Sequence, residues 1–90
     1  MDNELLKYVY SNGFHFHFKY DPNFPKLLHI TAKHQTTEED AIKTFFGGQT
    51  IWNEKHKRFQ TILLNKTLYW YWFRNKPKKV MVITCFTSNI

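Results

Sequence analysis

Residues 67–74, TLYWYWFR, decide the fold, and a short basic turn separates them from a second apolar run, residues 80–86, VMVITCF. Both runs consist mostly of β-branched and aromatic residues, which fit the pleated surface of a strand, and neither contains glycine or proline. We predict that they are neighbouring antiparallel strands at the centre of one sheet. Alternate side chains of a strand point to opposite faces, and both faces of the first run are aromatic. This strand is therefore either covered on both sides or presents one face to something flat, such as a nucleobase.

Length, cysteine content and hydropathy restrict the class of protein. Ninety residues make one domain, residues 1–90, which buries about 60–65% of the surface that its unfolded chain exposes. The single cysteine, Cys85, excludes an internal disulfide and a CxxC zinc motif, and we expect a buried thiol. No apolar run approaches the roughly 20 residues of a membrane helix, and the polar first residues do not resemble a signal peptide. We therefore expect a cytoplasmic protein with no membrane partner.

The charge balance is basic. Thirteen Lys and Arg against seven Asp and Glu give a net charge of +6, and the isoelectric point is about 9.6. Such an excess predicts an acidic partner, either a nucleic acid or an acidic protein, because opposite charges steer association. A basic surface that binds nothing is the alternative.

The first third of the chain predicts a strand. In residues 14–20 aromatic side chains alternate with polar ones, which is the period of a half-buried strand whose open side carries His15 and His17. A metal site needs further ligands, so we expect these two histidines to be solvated and no metal to be bound. Residues 4–10 fit either one or two helical turns or another strand.

Two helices are predicted in the middle of the chain. Pro25 suits the first turn of a helix over residues 26–34, which buries its two leucines. Thr36 and Glu39 have the spacing of a capping box at the start of a second helix, which ends at the glycines 47–48. The acidic residues at that start complement the positive end of the helix, and we do not take them as a catalytic pair.

The remaining segments predict strands and complete the fold class. Residues 50–52 and 58–64 have strand composition, and residues 65–66 have the right length for a tight hairpin into the aromatic strand. Strands that are segregated from helices indicate an α+β domain. We predict an antiparallel sheet, made of a meander of three to four strands plus an N-terminal strand, with two or three short helices on one face.

Several short motifs occur in the order of a known family. They are an aromatic-Asp-Pro strand end in residues 18–23 (FKYDPN), a lysine-histidine pair (Lys33-His34) before a Glu-Ala helix start in residues 38–41 (EEDA), an arginine-aromatic pair (Arg58-Phe59), and a partly matching final strand in residues 83–86 (ITCF). In these motifs the chain resembles the BrnT family, small ribonuclease toxins of bacterial type II toxin–antitoxin systems with a RelE-like fold. Two positions depart from the family pattern, since Gln35 replaces a glycine and Phe86 replaces an arginine.

The resemblance implies a metal-independent endoribonuclease that needs no cofactor, acts on RNA and is neutralised by an antitoxin protein. Such cleavage needs a base for the 2′-hydroxyl, an acid for the leaving 5′-oxygen and cations on the phosphate. Histidine suits proton transfer near neutral pH, and arginine bonds two phosphate oxygens at once. The catalytic candidates are His34 as base or acid, His56 as second proton carrier, and Lys33 and Arg58 on the phosphate. Each also fits a plain role, as a helix-ending cation for His34 and as solvated surface charge for the others.

The basic turn and the tryptophans of the aromatic strand are candidate RNA contacts. Aromatic rings stack on bases and cations follow the backbone of a single strand, but the same residues also suit a charged hairpin tip and a protein core. The predicted RNA-binding residues are Lys57, Arg74, Lys76, Lys78, Lys79, Trp70 and Trp72. Three functions stay open: a ribonuclease toxin, which we adopt, a non-catalytic nucleic-acid-binding module, and a protein-binding inhibitor domain whose apolar sheet face docks a partner.

Overall fold

The structure, a computed structural model, describes residues 6–88. They fold as an α+β domain with six strands, two α-helices and one short 3-10 turn. In chain order these are β1 (Leu6–Ser11), β2 (Phe14–Lys19), α1 (His29–His34), α2 (Glu38–Gly47), β3 (Gln49–Asn53), β4 (Arg58–Leu63), β5 (Lys66–Trp72), the 3-10 turn (Phe73–Asn75) and β6 (Lys79–Thr87).

One sheet contains all six strands, in the order β1-β2-β6-β5-β4-β3. β5 and β6 are antiparallel neighbours from Lys66, opposite Thr87, to Trp72, which confirms the prediction from the aromatic stretch. The prediction of a wholly antiparallel sheet is wrong, because β2 lies parallel to β6 with His15 opposite Lys79. A parallel pair needs a long connection, which the helices and the meander from β3 to β5 provide.

The first described segment, residues 6–11, is a strand and not a helical turn. Glu4, which the helical alternative included, lies outside the described residues. Asn12 and Gly13 form a two-residue turn into β2, with φ angles of 50° and 86°. Asn and Gly tolerate this left-handed region best, so the sequence of the turn favours a hairpin.

The hydrophobic core lies between α2 and one face of the sheet. Phe16 of β2 and both Leu68 and Trp70 of β5 are at most 3% exposed. Phe45 of α2 packs edge-on against Phe16 and Trp70, with ring centroids 5.1 and 4.9 Å apart. Cys85 is buried, as predicted, and its burial raises the pKa of the thiol to about 11.

A polar contact inside this core involves a threonine. The indole N–H of Trp70 donates to Oγ1 of Thr61 at 2.8 Å, and Thr61 is fully buried. Oγ1 of Thr50 lies 2.7 Å from the same hydroxyl oxygen, at the edge of the core. The buried indole N–H therefore has a partner, as buried polar groups require.

Helix α1 is shorter than the predicted helix over residues 26–34, and Leu27, which was expected inside, is 43% exposed. The helix begins late because Leu28 forms a bridge with Tyr20 and keeps an extended backbone. Leu28 itself is buried, in agreement with the prediction. Upstream, the side chain of Asp21 organises the preceding turn by accepting two backbone N–H bonds.

The sequence predicted that the helices lie together on one face of the sheet. In the structure they do not lie side by side. β2 pairs only with residues 79–82 of β6, and α1 packs against β6. Ile30 of α1 is buried in the core, whereas the ring of His34 contacts Phe86 on the other face of the sheet. Helix α1 therefore flanks β6 where its pairing with β2 has ended.

Helix α2 begins with a capping box one residue later than predicted. Thr37 and Asp40 form the reciprocal pair of hydrogen bonds, while Thr36 is buried and donates to a carbonyl of α1. The backbone N–H of Thr37 lowers the pKa of the Asp40 carboxyl. Asp40 therefore caps the N-terminus of α2, as predicted for the acidic residues at this position. At the other end, a Cβ on Gly48 would lie 2.5 Å from the carbonyl oxygen of Ile62.

Candidate functional site on the open sheet face

The face of the sheet turned away from the core carries aromatic and basic side chains, and we call it the open face. The alternation of side chains assigns residues to it, since their neighbours along each strand are core residues. The strand register sets Tyr8 beside His17, His17 beside Met81, and Met81 beside Tyr71. The charged and aromatic members of the open face are Tyr8, Tyr10, His15, His17, Lys19, Lys79, Phe86, Tyr69, Tyr71 and Arg58.

Acidic side chains are absent from the strands of the open face within residues 6–88. Residues 38–40 belong to the start of α2, and Glu54 lies in the β3–β4 turn, where it pairs with Lys57. The remaining described carboxylate, Asp21, is buried beside this face. Within residues 6–88, the charged side chains of the strands on the open face are therefore all basic, which favours an anionic ligand.

The sequence predicted that the two histidines of β2 are solvated, but in the structure both contact aromatic side chains. Oη of Tyr8 lies 2.5 Å from Nδ1 of His15, and the ring of His17 packs 4.6 Å from that of Phe73. Burial lowers the pKa of His17, and the nearby charge of Lys79 lowers it further. His17 is therefore neutral near pH 7. Across residues 6–88, no group of three or more His, Cys, Asp and Glu is arranged to hold a metal ion.

A pocket of about 350 Å³ opens on this face between β2, β5, β6 and α1. Lys19, Tyr20, His29 and Tyr71 bring polar groups to its wall, and Met81 and Ile83 bring apolar ones. The volume lies at the lower end of the range for small-molecule sites. Such a space suits a small ligand with both polar and apolar parts.

A buried carboxylate stands behind one wall of the pocket. Asp21 is 1% exposed, and its Oδ1 accepts N–H bonds from Asn23 and Phe24 at 2.8 and 3.1 Å. Its Oδ2 has no hydrogen-bond partner and lies 3.7 Å from Nδ1 of His29. The ring centroid of His34 lies 6.3 Å from that of His29. The sequence analysis missed His29 and took Asp21 only as part of the motif that ends β2.

His34 and Arg58, both predicted as catalytic, lie on this same face. The ring of His34 is 5.7 Å from that of Phe86, and Phe86 is 5.6 Å from Tyr69. The guanidinium carbon of Arg58 lies 4.0 Å above the Tyr69 ring, as in a cation–π contact. His34 and Arg58 are thus the two ends of one row of rings, and Phe86 holds the position where the BrnT pattern has an arginine.

The other predicted catalytic residues are not brought to this row. His56 lies in the exposed β3–β4 turn, where its backbone N–H donates to Asn53, and Lys33 is exposed on α1. The register sets the β3–β4 turn at the end of the sheet where β6 begins, whereas His34 contacts Phe86 near the opposite end of β6. His56 and His34 therefore do not form the pair of proton carriers that the sequence suggested.

The predicted RNA contacts divide between surface and core. Trp70 is 3% exposed, and Trp72 packs in the core against Phe59, so neither tryptophan belongs to the open face. The tyrosines of the open face are accessible instead, with Tyr8 54% and Tyr71 36% exposed. The predicted cations Lys57, Arg74, Lys76 and Lys78 are exposed, and Lys79 is half-buried on the open face.

Comparison with known proteins gives no match: no family model, no curated protein and no solved structure matches this chain. The resemblance to the BrnT family stays a prediction that rests on its short motifs. None of the helices in the described part of the chain is long and apolar enough to cross a membrane.

Proposed function

We propose that this protein binds single-stranded RNA on its open face and cleaves it without a metal ion. The observation that carries the proposal is the charge of that face, where Lys79, Arg58 and the adjoining Arg74 lie among accessible tyrosines and no described strand residue is acidic. Cations along a surface neutralise successive phosphates and release their counterions. Aromatic rings between them stack on bases of any sequence.

A single strand suits this surface better than a duplex. Neighbouring strands of a sheet are about 4.8 Å apart, so the rings of Tyr8 on β1 and Tyr71 on β5 are separated by the width of several strands. Unpaired bases can spread over such a flat area, whereas the bases of a duplex are already stacked on one another. The RNA would therefore cross the sheet and pass the pocket beside His29.

Cleavage follows from the chemistry of RNA itself. The 2′-oxygen bonds to phosphorus while the bond from phosphorus to the 5′-oxygen breaks, which leaves a 2′,3′-cyclic phosphate and a 5′-hydroxyl. A base takes the proton of the 2′-hydroxyl, and an acid gives one to the 5′-oxygen. His34 offers a proton carrier at one end of the row through Phe86 and Tyr69, and Arg58 at the other end offers a cation for a neighbouring phosphate of the strand.

The second candidate is a module that binds RNA without cutting it. Phe86 favours this candidate, because it occupies the place of the family arginine with an uncharged ring between His34 and Arg58. In either case the implied antitoxin belongs to the proposal as an acidic protein that covers the open face. Such a partner would compete with RNA for the same cations.

The binding part is tested with a fluorescent uridine-rich RNA of about 12 nucleotides, by anisotropy between about 50 and 200 mM salt. Three cations on single-stranded phosphates predict a slope of log affinity against log salt of about −2.1, at about −0.7 for each phosphate. Lys79→Gln reduces the steepness by about 0.7, whereas the matched control Lys43→Gln, on the outer side of α2, leaves it unchanged. An affinity that does not change with salt contradicts RNA binding.

The cleavage part is tested with the same RNA in the presence of EDTA. We expect fragments that end in a 2′,3′-cyclic phosphate, and no cleavage of the same strand with 2′-O-methyl groups, which removes the attacking hydroxyl. His34→Ala lowers the cleavage rate by about 10²–10⁴-fold, the typical contribution of a group that transfers a proton in the transition state. Salt-dependent binding without any fragments in the wild type would support the second candidate instead.

A further inference from the structure

The pocket beside α1 contains a carboxylate that the local fold does not fully use. Oδ1 of Asp21 satisfies the backbone N–H groups of Asn23 and Phe24, which is enough to hold the turn. Oδ2 is buried, accepts no hydrogen bond and faces Nδ1 of His29 at 3.7 Å. Burying a carboxylate oxygen without a partner costs free energy. Because the turn needs only Oδ1, the free-energy cost of burying Oδ2 of Asp21 points to another role for this oxygen.

The orientation of His29 gives that oxygen a role. Its side chain is about one-third exposed and lines the pocket, while its Nδ1 lies 3.7 Å from Oδ2 of Asp21. An N–H on Nδ1 directed at the carboxylate leaves Nε2, on the opposite edge of the ring, free to accept a proton. An ionised carboxylate at this distance stabilises the positive charge that the ring acquires, which is how a buried aspartate serves a catalytic histidine. Catalytic hydrogen bonds are often long until a substrate is bound.

A second proton carrier stands next to the first. The rings of His29 and His34 are nearly perpendicular, at 85°, with centroids 6.3 Å apart. For in-line cleavage, base and acid must each reach their oxygen within about 3 Å from opposite sides of the phosphorus. Two rings several ångströms apart satisfy this requirement, whereas His34 and His56 lie at opposite ends of the sheet.

The other walls fit one nucleotide of an RNA strand. Lys19 lines the pocket, and Tyr71 brings an exposed ring on which a base can stack. The volume of about 350 Å³ suits a group of that size.

We infer that this pocket holds the nucleotide next to the cleaved bond, with His29 as base, His34 as acid and Asp21 as the residue that positions His29. Nε2 of His29 takes the proton of the 2′-hydroxyl as the 2′-oxygen bonds to phosphorus. His34 gives its proton to the 5′-oxygen as the bond to phosphorus breaks, so no water or further reactant is consumed. This inference rests on the proposed function, and it assigns the proton transfers that the proposal left open.

The first test replaces His29 with alanine. General acid–base catalysis contributes about 10²–10⁴-fold, so we expect His29→Ala to lower the rate by that factor. RNA affinity should stay within about threefold, since phosphate contacts and not this ring dominate it. Imidazole added to the buffer should restore part of the rate, because it can occupy the space of the lost ring. If circular dichroism shows His29→Ala to be unfolded, His29→Asn takes its place with the same expected loss.

The second test separates the positioning role of Asp21 from its structural role. Asp21→Asn keeps an oxygen for the N–H groups of Asn23 and Phe24 but removes the negative charge beside His29. We expect kcat to fall by at least about tenfold while KM and RNA affinity hold, since the lost interaction is made mainly in the transition state. A variant with unchanged kcat refutes the positioning role.

The outcomes distinguish this inference from the proposed function. Wild-type protein that binds RNA but never cuts it refutes the proposed cleavage and the inference with it. If the wild-type protein cuts RNA and His29→Ala cuts it at the same rate, the inference is refuted and the proposed function stands. His56→Ala serves as the comparison, because the structure separates His56 from the pocket, and a large loss there would favour the other histidine pair.

Discussion

Replacing Thr61 with valine tests how the core holds the polar end of Trp70. Valine keeps the shape of threonine but removes the hydroxyl that accepts the indole N–H at 2.8 Å. Because Trp70 is 3% exposed, water does not reach the unpaired N–H, and such a group costs about 1–3 kcal/mol. The buried methyl that replaces the hydroxyl offsets about 0.8 kcal/mol. The free energy of unfolding should therefore fall by about 0.2–2.2 kcal/mol, the difference between these two amounts.

Urea unfolding followed by circular dichroism measures this loss, and each kcal/mol should also lower Tm by about 4–8 °C for a domain of this size. The matched control Thr50→Val removes the 2.7 Å contact at the rim but leaves the indole bond, and it should cost less than about 0.5 kcal/mol. In a Trp70→Phe background the indole N–H is gone, so Thr61→Val should cost little there. An equal cost of Thr61→Val in both backgrounds would refute the reasoning.

Three further predictions concern stability and use the same unfolding assay. Gly48→Ala should cost about 1–3 kcal/mol because its Cβ meets the backbone of β4, whereas Gly47→Ala meets only a leucine side chain at 3.2 Å and should cost less than about 1 kcal/mol; equal losses would contradict this difference. Leu64→Asn should add up to about 1 kcal/mol, because Leu64 is 91% exposed with φ of 55°, a region that asparagine tolerates and that the control Leu64→Ala does not relieve. Acid should destabilise the fold in two stages, since a group whose pKa is lower in the folded state binds more protons in the unfolded chain. The first stage begins below pH 6.5, the unfolded pKa of His17, because burial opposes protonation of this ring in the folded state. The second begins below pH 3.8, the unfolded pKa of Asp40, because protonation removes the carboxylate that accepts the N–H bond of Thr37. A midpoint that stays constant from about pH 8 to 5, as expected for His17→Gln, would contradict the first stage in the wild type.

The individual strands could be predicted because each has a local cause. Residues 58–63 and 66–72 consist mostly of side chains that fit a pleated surface, and the two glycines mark the end of α2, which runs through Gly47 with Gly48 as its cap. The parallel pairing of β2 with β6 could not be predicted, because a strand carries no local mark of its partner when the two are distant in sequence. The alternation of residues 67–74 correctly separated two faces, but it did not tell which face the helix covers.

The candidate site was predictable only in part for the same reason. His34 and Arg58 were found through short motifs, and the structure sets both on the open face. In the sequence Asp21 is part of a motif that ends a strand, and the positioning role proposed for it depends on burial, which no pattern of neighbours reveals. His29 has no local signal in the sequence either, since the role proposed for it depends on its proximity to both Asp21 and His34 in the folded chain.

The parallel pairing of β2 with β6 also determines when the pocket comes into existence. The β1–β2 hairpin and the meander from β3 to β6 each join strands that are close in sequence, whereas β2 and β6 close the longest loop in the sheet. Pairings of high sequence separation form slowly, because the chain must lose loop entropy before the contacts reward it. The pocket takes Lys19 and His29 from one side of this junction and Tyr71 and Met81 from the other. A chain still emerging from the ribosome therefore has no complete pocket until β6 is synthesised and docks against β2.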